Sequence, residues 1–168
     1  MTKIFPVKTG KILLHPFQLK DAAAKAQLDN DPDIKEYLGR PTKLEDDITE
    51  FENQGYGLVA IVDIASNQIA GYAKLQSPDW EKNLGLELIV AVSSIYRKQG
   101  FALEAIKKLI EISFGLLQQK QVVGRIAFTN TASIKLVEKV DMKEIGRRQD
   151  ILDGDQYIFS VSSWDNVR

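Results

Sequence analysis

Residues 84–119 read LGLELIVAVSSIYRKQGFALEAIKKLIEISFGLLQQ, and this stretch decides the fold class. Leu84 to Val92 is a near-continuous apolar run interrupted by Glu87. A run without alternation predicts a strand buried on both faces. Phe101 to Gln119 then repeats apolar residues at helical spacing: Ala102, Leu103, Ile106, Leu109, Ile110, with Ser113, Leu116 and Leu117 completing the stripe. Between strand and helix stand Arg97-Lys98-Gln99-Gly100. A helix start offers unsatisfied N–H groups and a partial positive charge, so a loop feeding it can hold an anion. Gly100 permits close approach, Ala102 is small, and Arg97 and Lys98 add charge. The dipole contributes only about 0.3–1 kcal/mol, so several amides must act together. The plain alternative is an ordinary strand-to-helix turn. The loop lacks the Gly-Lys-Ser/Thr of a nucleotide P-loop, and it lacks two of the three glycines of a dinucleotide fingerprint.

Outward from this unit, the N-terminal part reads as a strand and then helices. Lys11 to Phe17 is predicted as a strand. Leu19 to Leu28 is predicted as a helix with Asp21 as N-cap. Asp31-Pro32 opens a short helix carrying Ile34, Tyr37 and Leu38, stopped by Gly39. Thr42 to Phe51 is a third helix, in which Thr42 and Glu45 make a capping box. The period then changes. Tyr56 to Ile64 and Gln68 to Leu75 flank a Ser66-Asn67 turn and predict a hairpin. Beyond the central helix come a strand, Gln121 to Phe128, and a helix, Ala132 to Val140. Two strands follow, Lys143 to Leu152 and Gln156 to Trp164, around an Asp153-Gly154 hairpin turn. The order predicts a mixed α/β (α+β) sheet with a βα unit in its middle.

The 168 residues suit one domain, 1–168, with no linker or repeat to divide it. There is no cysteine, which removes disulfides, thiolate metal sites and a cysteine nucleophile, and suits a reducing cytoplasm. The single histidine, His15, cannot build a His-rich metal site; it precedes Pro16 and reads as structural. Lys plus Arg total 22 against 23 Asp plus Glu, so charge gives no reason to expect nucleic acid or an anionic membrane as a partner. The N-terminal Met1 to Pro6 has no long apolar run behind it and is not read as a signal peptide. Leu84 to Val92 is far too short to span a bilayer.

Arg97, Gly100 and Ala102 sit at the fixed positions of a Gln/Arg-x-x-Gly-x-Gly/Ala segment that follows a buried strand. The segment resembles motif A of the GNAT acetyltransferase superfamily. Tyr96-Arg97 and Phe101 to Ala105 are similar to the branch that acetylates ribosomal-protein N-termini. So is Asn130-Thr131-Ala132-Ser133-Ile134-Lys135-Leu136-Val137-Glu138-Lys139, which matches that branch's Asn-x-x-Ser-x-x-Leu-x-Glu-Lys. Similarity runs from about residue 10 to 163, and the two motifs in order are far more specific than the loop alone. The resemblance implies a mostly antiparallel sheet splayed between its two central parallel strands and flanked by helices. It implies acetyl-CoA as co-substrate and no metal. Its pyrophosphate would lie on Arg97, Lys98, Gln99, Gly100, Phe101 and Ala102. Its pantetheine arm would pair with the backbone at Val90, Ala91 and Val92, and Asn130 and Ser133 would contact it. A primary amine, on a protein N-terminus or a small molecule, would attack the thioester directly. A backbone N–H near Val92 would stabilise the oxyanion.

Such an attack needs a proton acceptor. Glu87 is the candidate base, on the strand face shared with Gly85, Ile89 and Ala91; the competing reading is a structural glutamate paired with an Arg or Lys of the next strand. Asn130 reads equally as a helix cap. Many family members carry a tyrosine acid where this chain has Val137, so Ser133 is the candidate acid, or the thiolate leaves unaided, a thiol's pKa being near 8.5. Asp141-Met142 replaces the family's usual Gly-Phe. Tyr56, Tyr72, Asp79 and Trp80 are placed by the resemblance near the acceptor pocket, although each type is more often core or surface. Asp31, Asp33, Glu36, Glu45, Asp46 and Asp47 make the helical front acidic: a solvated face, or a rim favouring a cationic acceptor. The alternative function is a non-catalytic acyl-CoA-binding domain that senses its ligand. A homodimer is the default assembly.

Overall fold

A computed structural model describes residues 3–38 and 40–163. Eight strands form one sheet: β1 (Val7–Thr9), β2 (Ile12–Pro16), β3 (Leu58–Asp63), β4 (Gln68–Gln76), β5 (Leu86–Val92), β6 (Gln121–Ala127), β7 (Lys143–Arg148) and β8 (Gln156–Ser162). Their order is β1-β2-β3-β4-β5-β6-β8-β7. Neighbours run antiparallel except β5 and β6, which are parallel. The helices are α1 (Ala22–Asp29), α2 (Pro32–Leu38), α3 (Leu44–Gln54), α4 (Phe101–Gly115) and α5 (Thr131–Glu138).

Side chains alternate across a strand, so the sheet has two unlike faces. On one, α4 seats Phe101, Ala105, Leu109 and Ile112 against Val59, Ile61, Ala73, Leu75 and Leu86. Farther along, Ile106 and Ile110 meet Val122, Ile126 and Val137 of α5. On the other face, Leu44 of α3 packs with Phe17, Leu58 and Ala60, and Leu28 and Ile34 of α1 and α2 pack with Ala91. The expected mostly antiparallel sheet between helical layers is present, and its parallel pair is the predicted one. Among the described residues no helix is long and apolar enough to cross a membrane.

Several boundaries differ from the expected ones. The β1 strand was not anticipated; three residues carry too little pattern. Asp21 holds the N-cap position of α1 as expected, but it also ends a 3-10 turn, Leu19–Asp21, and its carboxylate accepts from Gln18 N–H (2.9 Å) without a cap hydrogen bond to α1. The Thr42–Glu45 capping box does not form: the Thr42 hydroxyl donates to buried Asp47 (2.6 Å), and no side chain caps α3. Helix α4 ends at Gly115. There Leu117 N–H turns onto Ile112 O and Gln119 N–H onto Ser113 O, leaving Leu116 exposed. The tight Asp153-Gly154 hairpin is replaced by a connection over residues 149–155, because Asp150 Oδ1 accepts from Leu152 N–H (2.8 Å) and Asp153 N–H (2.9 Å) and folds its own turn. Gly39 and Trp164, which figured in two predicted boundaries, lie outside the described residues.

Candidate functional site

Strands β5 and β6 touch at only two register pairs, Leu86↔Val122 and Glu87↔Val123. Beyond them β5 stays paired with β4 up to Val92, and β6 with β8 up to Ala127. The two parallel strands therefore part company, leaving one backbone edge of each unpaired toward the gap. Gly85 makes the join possible: its φ is +75°, and a Cβ there would stand 2.1 Å from Gln121 O. At the open end lie the starts of α4 and α5, as expected of a ligand site at strand C-termini.

The loop from β5 to α4 is held from several sides. Ser93 N–H donates to Ala70 O (2.8 Å), and a 3-10 turn follows over Ser94–Tyr96. Asp31 joins this turn to α2: one carboxylate oxygen accepts from Asp33 N–H (3.0 Å), the other from Ser94 N–H (3.1 Å) and Ser94 Oγ (3.2 Å). Burial pushes the Asp31 pKa up, but these hydrogen bonds from Ser94, Asp33 and Ile34 outweigh it and hold the carboxyl below its ordinary value. Arg97 turns back, donating to Val92 O (3.3 Å) and pairing with Asp33 (2.5 Å). Its charge is thus met by α2 and does not stand free beside the amides as the sequence suggested. Asp31 and Asp33, read from sequence as a solvated face or a pocket rim, are ties to the loop. Lys98 and Gly100 take positive φ, 60° and 84°. Gly100 occupies the N-cap position of α4, no side chain caps that helix, and its first hydrogen bond runs from Glu104 N–H to Gly100 O (3.0 Å). The amides of the first turn, from Phe101 and Ala102 on, thus face outward without an intrahelical acceptor.

Lys11, which the sequence did not single out, meets this loop from behind. Its Nζ donates to Gln99 O and lies 5.8 Å from the Phe101 ring, and its N–H donates to Glu104 (3.0 Å). The contact spans 88 residues of chain, and nothing local signals it.

At α5, Asn130 is the N-cap: its Oδ1 accepts from Ser133 N–H (3.2 Å), so the capping role is realised. Val137 is buried with Ile106, Val122 and Met142, so a side chain there enters the core and not the site. Asp141 adopts φ 60°, the conformation a glycine would take, and Met142 fills the core. The family's Gly-Phe is thereby replaced in function. His15 Nδ1 bonds Pro16 O (2.7 Å), a structural role.

On the face toward α1–α3 lies a cavity of about 230 Å³. Register places Tyr72, Lys74 and Gln76 of β4 beside Ala91, Ile89 and Glu87 of β5 on this face. Glu87 is 2% exposed. It pairs with Arg125 Nε of β6 (2.6 Å) and accepts from Gln76 Nε2 (3.1 Å), and all three line the cavity. The glutamate is therefore both partnered by the next strand and placed at the cavity wall. Ser133 is not among the lining residues, so the two catalytic candidates do not share this cavity. Beneath lies a buried ionic cluster. Asp47, 3% exposed, meets Lys74 (3.4 Å), Lys25 (4.0 Å) and Thr42 Oγ1 (2.6 Å). Lys25 also meets Asp29 (2.8 Å), and Lys74 meets Glu50 (2.6 Å). Burial, and then the charges of Asp29 and Asp47, push the Tyr72 phenol well above its ordinary pKa and keep it protonated. Tyr56 packs in the core instead. Asp79 is exposed, and Trp80 stands by Arg125 and Arg148. Lys25, Lys74, Gln76, Arg125 and Gln156 went unnoticed in the sequence. The period-2 spacing of Tyr72, Lys74 and Gln76 against Ala73 and Leu75 was the available signal. Among the described residues, no group of three or more His, Cys, Asp or Glu could hold a metal ion.

The family model for the acetyltransferase (GNAT) domain matches residues 11–143, and the chain belongs to that family. Solved structures share the fold. An acetyltransferase (GNAT family) from Bacillus anthracis is 19% identical, with 93% of this chain and 97% of that one covered at a TM-score of 0.77. Spermidine N-acetyltransferase from Vibrio cholerae, in complex with CoA and spermine, is 16% identical, covering 95% and 100% at 0.79. Ribosomal-protein-S5-alanine acetyltransferase from Vibrio fischeri is 14% identical, covering 95% and 97% at 0.77.

Proposed function

We propose that the chain is one acetyltransferase domain that moves the acetyl group of acetyl-CoA directly onto a primary amine. The observation that carries this is the splay of β5 from β6 after two pairs, opening onto a helix start whose amides no side chain caps. The co-substrate supplies an activated thioester. The N–H groups of Lys98 to Ala102 hold the pyrophosphate, and the unpaired edge of β5 from Val90 to Val92 aligns the pantetheine arm as an added strand would. Asn130 and Ser133 flank that arm from α5. Glu87 takes the amine proton, directly or through a water, while Arg125 and Gln76 fix the carboxylate's orientation. The acceptor enters from the cavity face. Mixing the protein with acetyl-CoA and a panel of amines, and following free thiol, tests the reading; tight cofactor binding with no turnover on any amine would count against catalysis.

A second reading, a domain that binds acyl-CoA without turnover, is favoured by the burial of Val137 and by the full engagement of Glu87 with Arg125 and Gln76. A thermal-shift titration separates both readings from a chain with no such ligand. At a hundredfold excess over its dissociation constant, a ligand of the folded state adds about 2.7 kcal/mol.

A further inference from the structure

Glu87 is held at both carboxylate oxygens. Oε1 accepts from Arg125 Nε (2.6 Å) and Oε2 from Gln76 Nε2 (3.1 Å). The two donors are not fixed equally. Gln76 is the β4 residue in direct register with Glu87. Arg125 lies on β6, two residues past Val123, and the register pairs of β5 with β6 end at Val123. An arginine side chain gives up much rotational freedom when it is held in one place. The guanidinium therefore needs a hold of its own.

Trp80 supplies that hold. It sits in the connection between β4 and β5. The Arg125 guanidinium lies 5.3 Å from the centre of its ring, within cation–π distance. Arg148 lies 5.8 Å from the same ring and reaches Asp150 (3.6 Å). Cation–π attraction strengthens as water is removed. The Arg125 side chain is 20% exposed and that of Arg148 is 35% exposed, so the Arg125 contact is the stronger. Trp80 Nε1 finds no acceptor among the described residues, so the indole serves its neighbours through its face and not through its N–H. Arg125 and Glu87 line the cavity and Trp80 does not, so Trp80 acts on the site only through Arg125.

We infer that Trp80 is a positioning residue for the proposed transfer: its ring holds the Arg125 guanidinium on Glu87 and so fixes the carboxylate that takes the amine proton. The inference rests on the reading of Glu87 as that proton acceptor. Gln76 ends β4 and Trp80 follows in the next connection, so one segment orients both oxygens of the base.

One arm of the test does not depend on turnover. In heteronuclear NMR spectra of the full chain, the Arg125 Nε–H signal is identified by its loss in Arg125→Lys. Trp80→Leu removes the ring face and should speed exchange of that proton with water about tenfold; tenfold corresponds to about 1.4 kcal/mol, within the reach of a cation–π contact. The second arm follows thiol release. In Trp80→Leu, kcat should fall about tenfold, while acceptor KM and acetyl-CoA affinity stay within about twofold of wild type, because the ring touches neither ligand. Trp80→Phe keeps a smaller face and should lose only about two- to threefold in both arms. In a Glu87→Gln background, Trp80→Leu should cost nothing further, because no carboxylate remains to be oriented. Arg148→Met should leave kcat within about twofold of wild type. Unchanged exchange, unchanged kcat, an equal fall in the Glu87→Gln background, or an Arg148→Met variant that reproduces the loss would each overturn the assignment. If Trp80→Leu does not fold, a Trp80→Phe protein with wild-type exchange and kcat overturns it. Wild type that turns over no amine sinks the proposed function and the catalytic role of Trp80 with it, whereas turnover with unchanged exchange sinks only the role of Trp80.

Discussion

Replacing Gly85 by alanine strikes the place where the two halves of the sheet are joined. The backbone ladder that joins strands β1–β5 to β6–β8 has two register pairs, Leu86↔Val122 and Glu87↔Val123, immediately after this glycine. Its φ of +75° places a non-glycine residue in the left-handed region, which costs about 1–2 kcal/mol. The added Cβ would also lie 2.1 Å from Gln121 O, a backbone atom that cannot rotate away. Relief requires β5 and β6 to separate, which puts one or two ladder hydrogen bonds at risk, each contributing about 0.5–1.5 kcal/mol. Together these give a loss of roughly 2–5 kcal/mol, or a fall in Tm of roughly 4–20 °C for a chain of this size. Gly124→Ala is the matched control: its Cβ would meet Leu88 O at 3.8 Å and Met142 Cε at 3.9 Å, ordinary contacts, so its stability should stay within about 1 kcal/mol of wild type. Urea unfolding followed by circular dichroism reads both variants. A Gly85→Ala protein within about 1 kcal/mol of wild type would refute the argument that this two-pair ladder and its glycine hold the join.

Three further outcomes are expected. Glu87→Gln keeps the side chain's shape and its place beside Gln76 but removes the proton acceptor; thiol release should fall by about a hundredfold or more while acetyl-CoA affinity holds, and an unchanged rate would assign Glu87 to structure alone. Asp47→Ala leaves Lys25 and Lys74 buried without their shared carboxylate, so stability should drop by about 3–5 kcal/mol; in Asp47→Asn, the loss of a nearby negative charge should lower the Tyr72 pKa, read by phenolate absorbance. Asp31 has a folded pKa held below its ordinary 3.8, so its contribution is present above that pH and is lost as the pH falls through the folded value. Asp31→Asn should therefore flatten the acid limb of the stability curve, and an unchanged limb below pH 4 would remove Asp31 from the account of acid sensitivity.

Local chemistry wrote much of the fold openly. The apolar run ending at Val92, the helical stripe from Ala102 and the return of strand pattern at Gln121 are signals within a few turns of chain, and period alone separates them. The family followed from Arg97, Gly100 and Ala102 together with Asn130 and Ser133, because the order of two short motifs is a property of sequence. Where local signals competed, the outcome escaped. Thr42 had a capping partner in Glu45 but served Asp47, because a carboxylate 3% exposed needs a donor more than an exposed helix end needs a cap. The Asp153-Gly154 turn lost to the Asp150 carboxylate, three residues before Asp153.

Only tertiary structure could decide what the site contains. Lys11 reaches Gln99 across 88 residues, and Arg125 reaches Glu87 across 38, with no spacing rule to announce either. The splay between β5 and β6 depends on which edges stay paired elsewhere, which is a property of the whole sheet. Trp80, Arg125 and Arg148 come from three separate segments, and the Trp80 ring meets both guanidiniums only once the chain has folded. By itself the sequence determined the order of elements and the family, because periodicity and motif order are local or linear. The tertiary structure decided which charges are paired and which carboxylate faces a cavity, because those depend on burial and on distances between residues far apart in the chain.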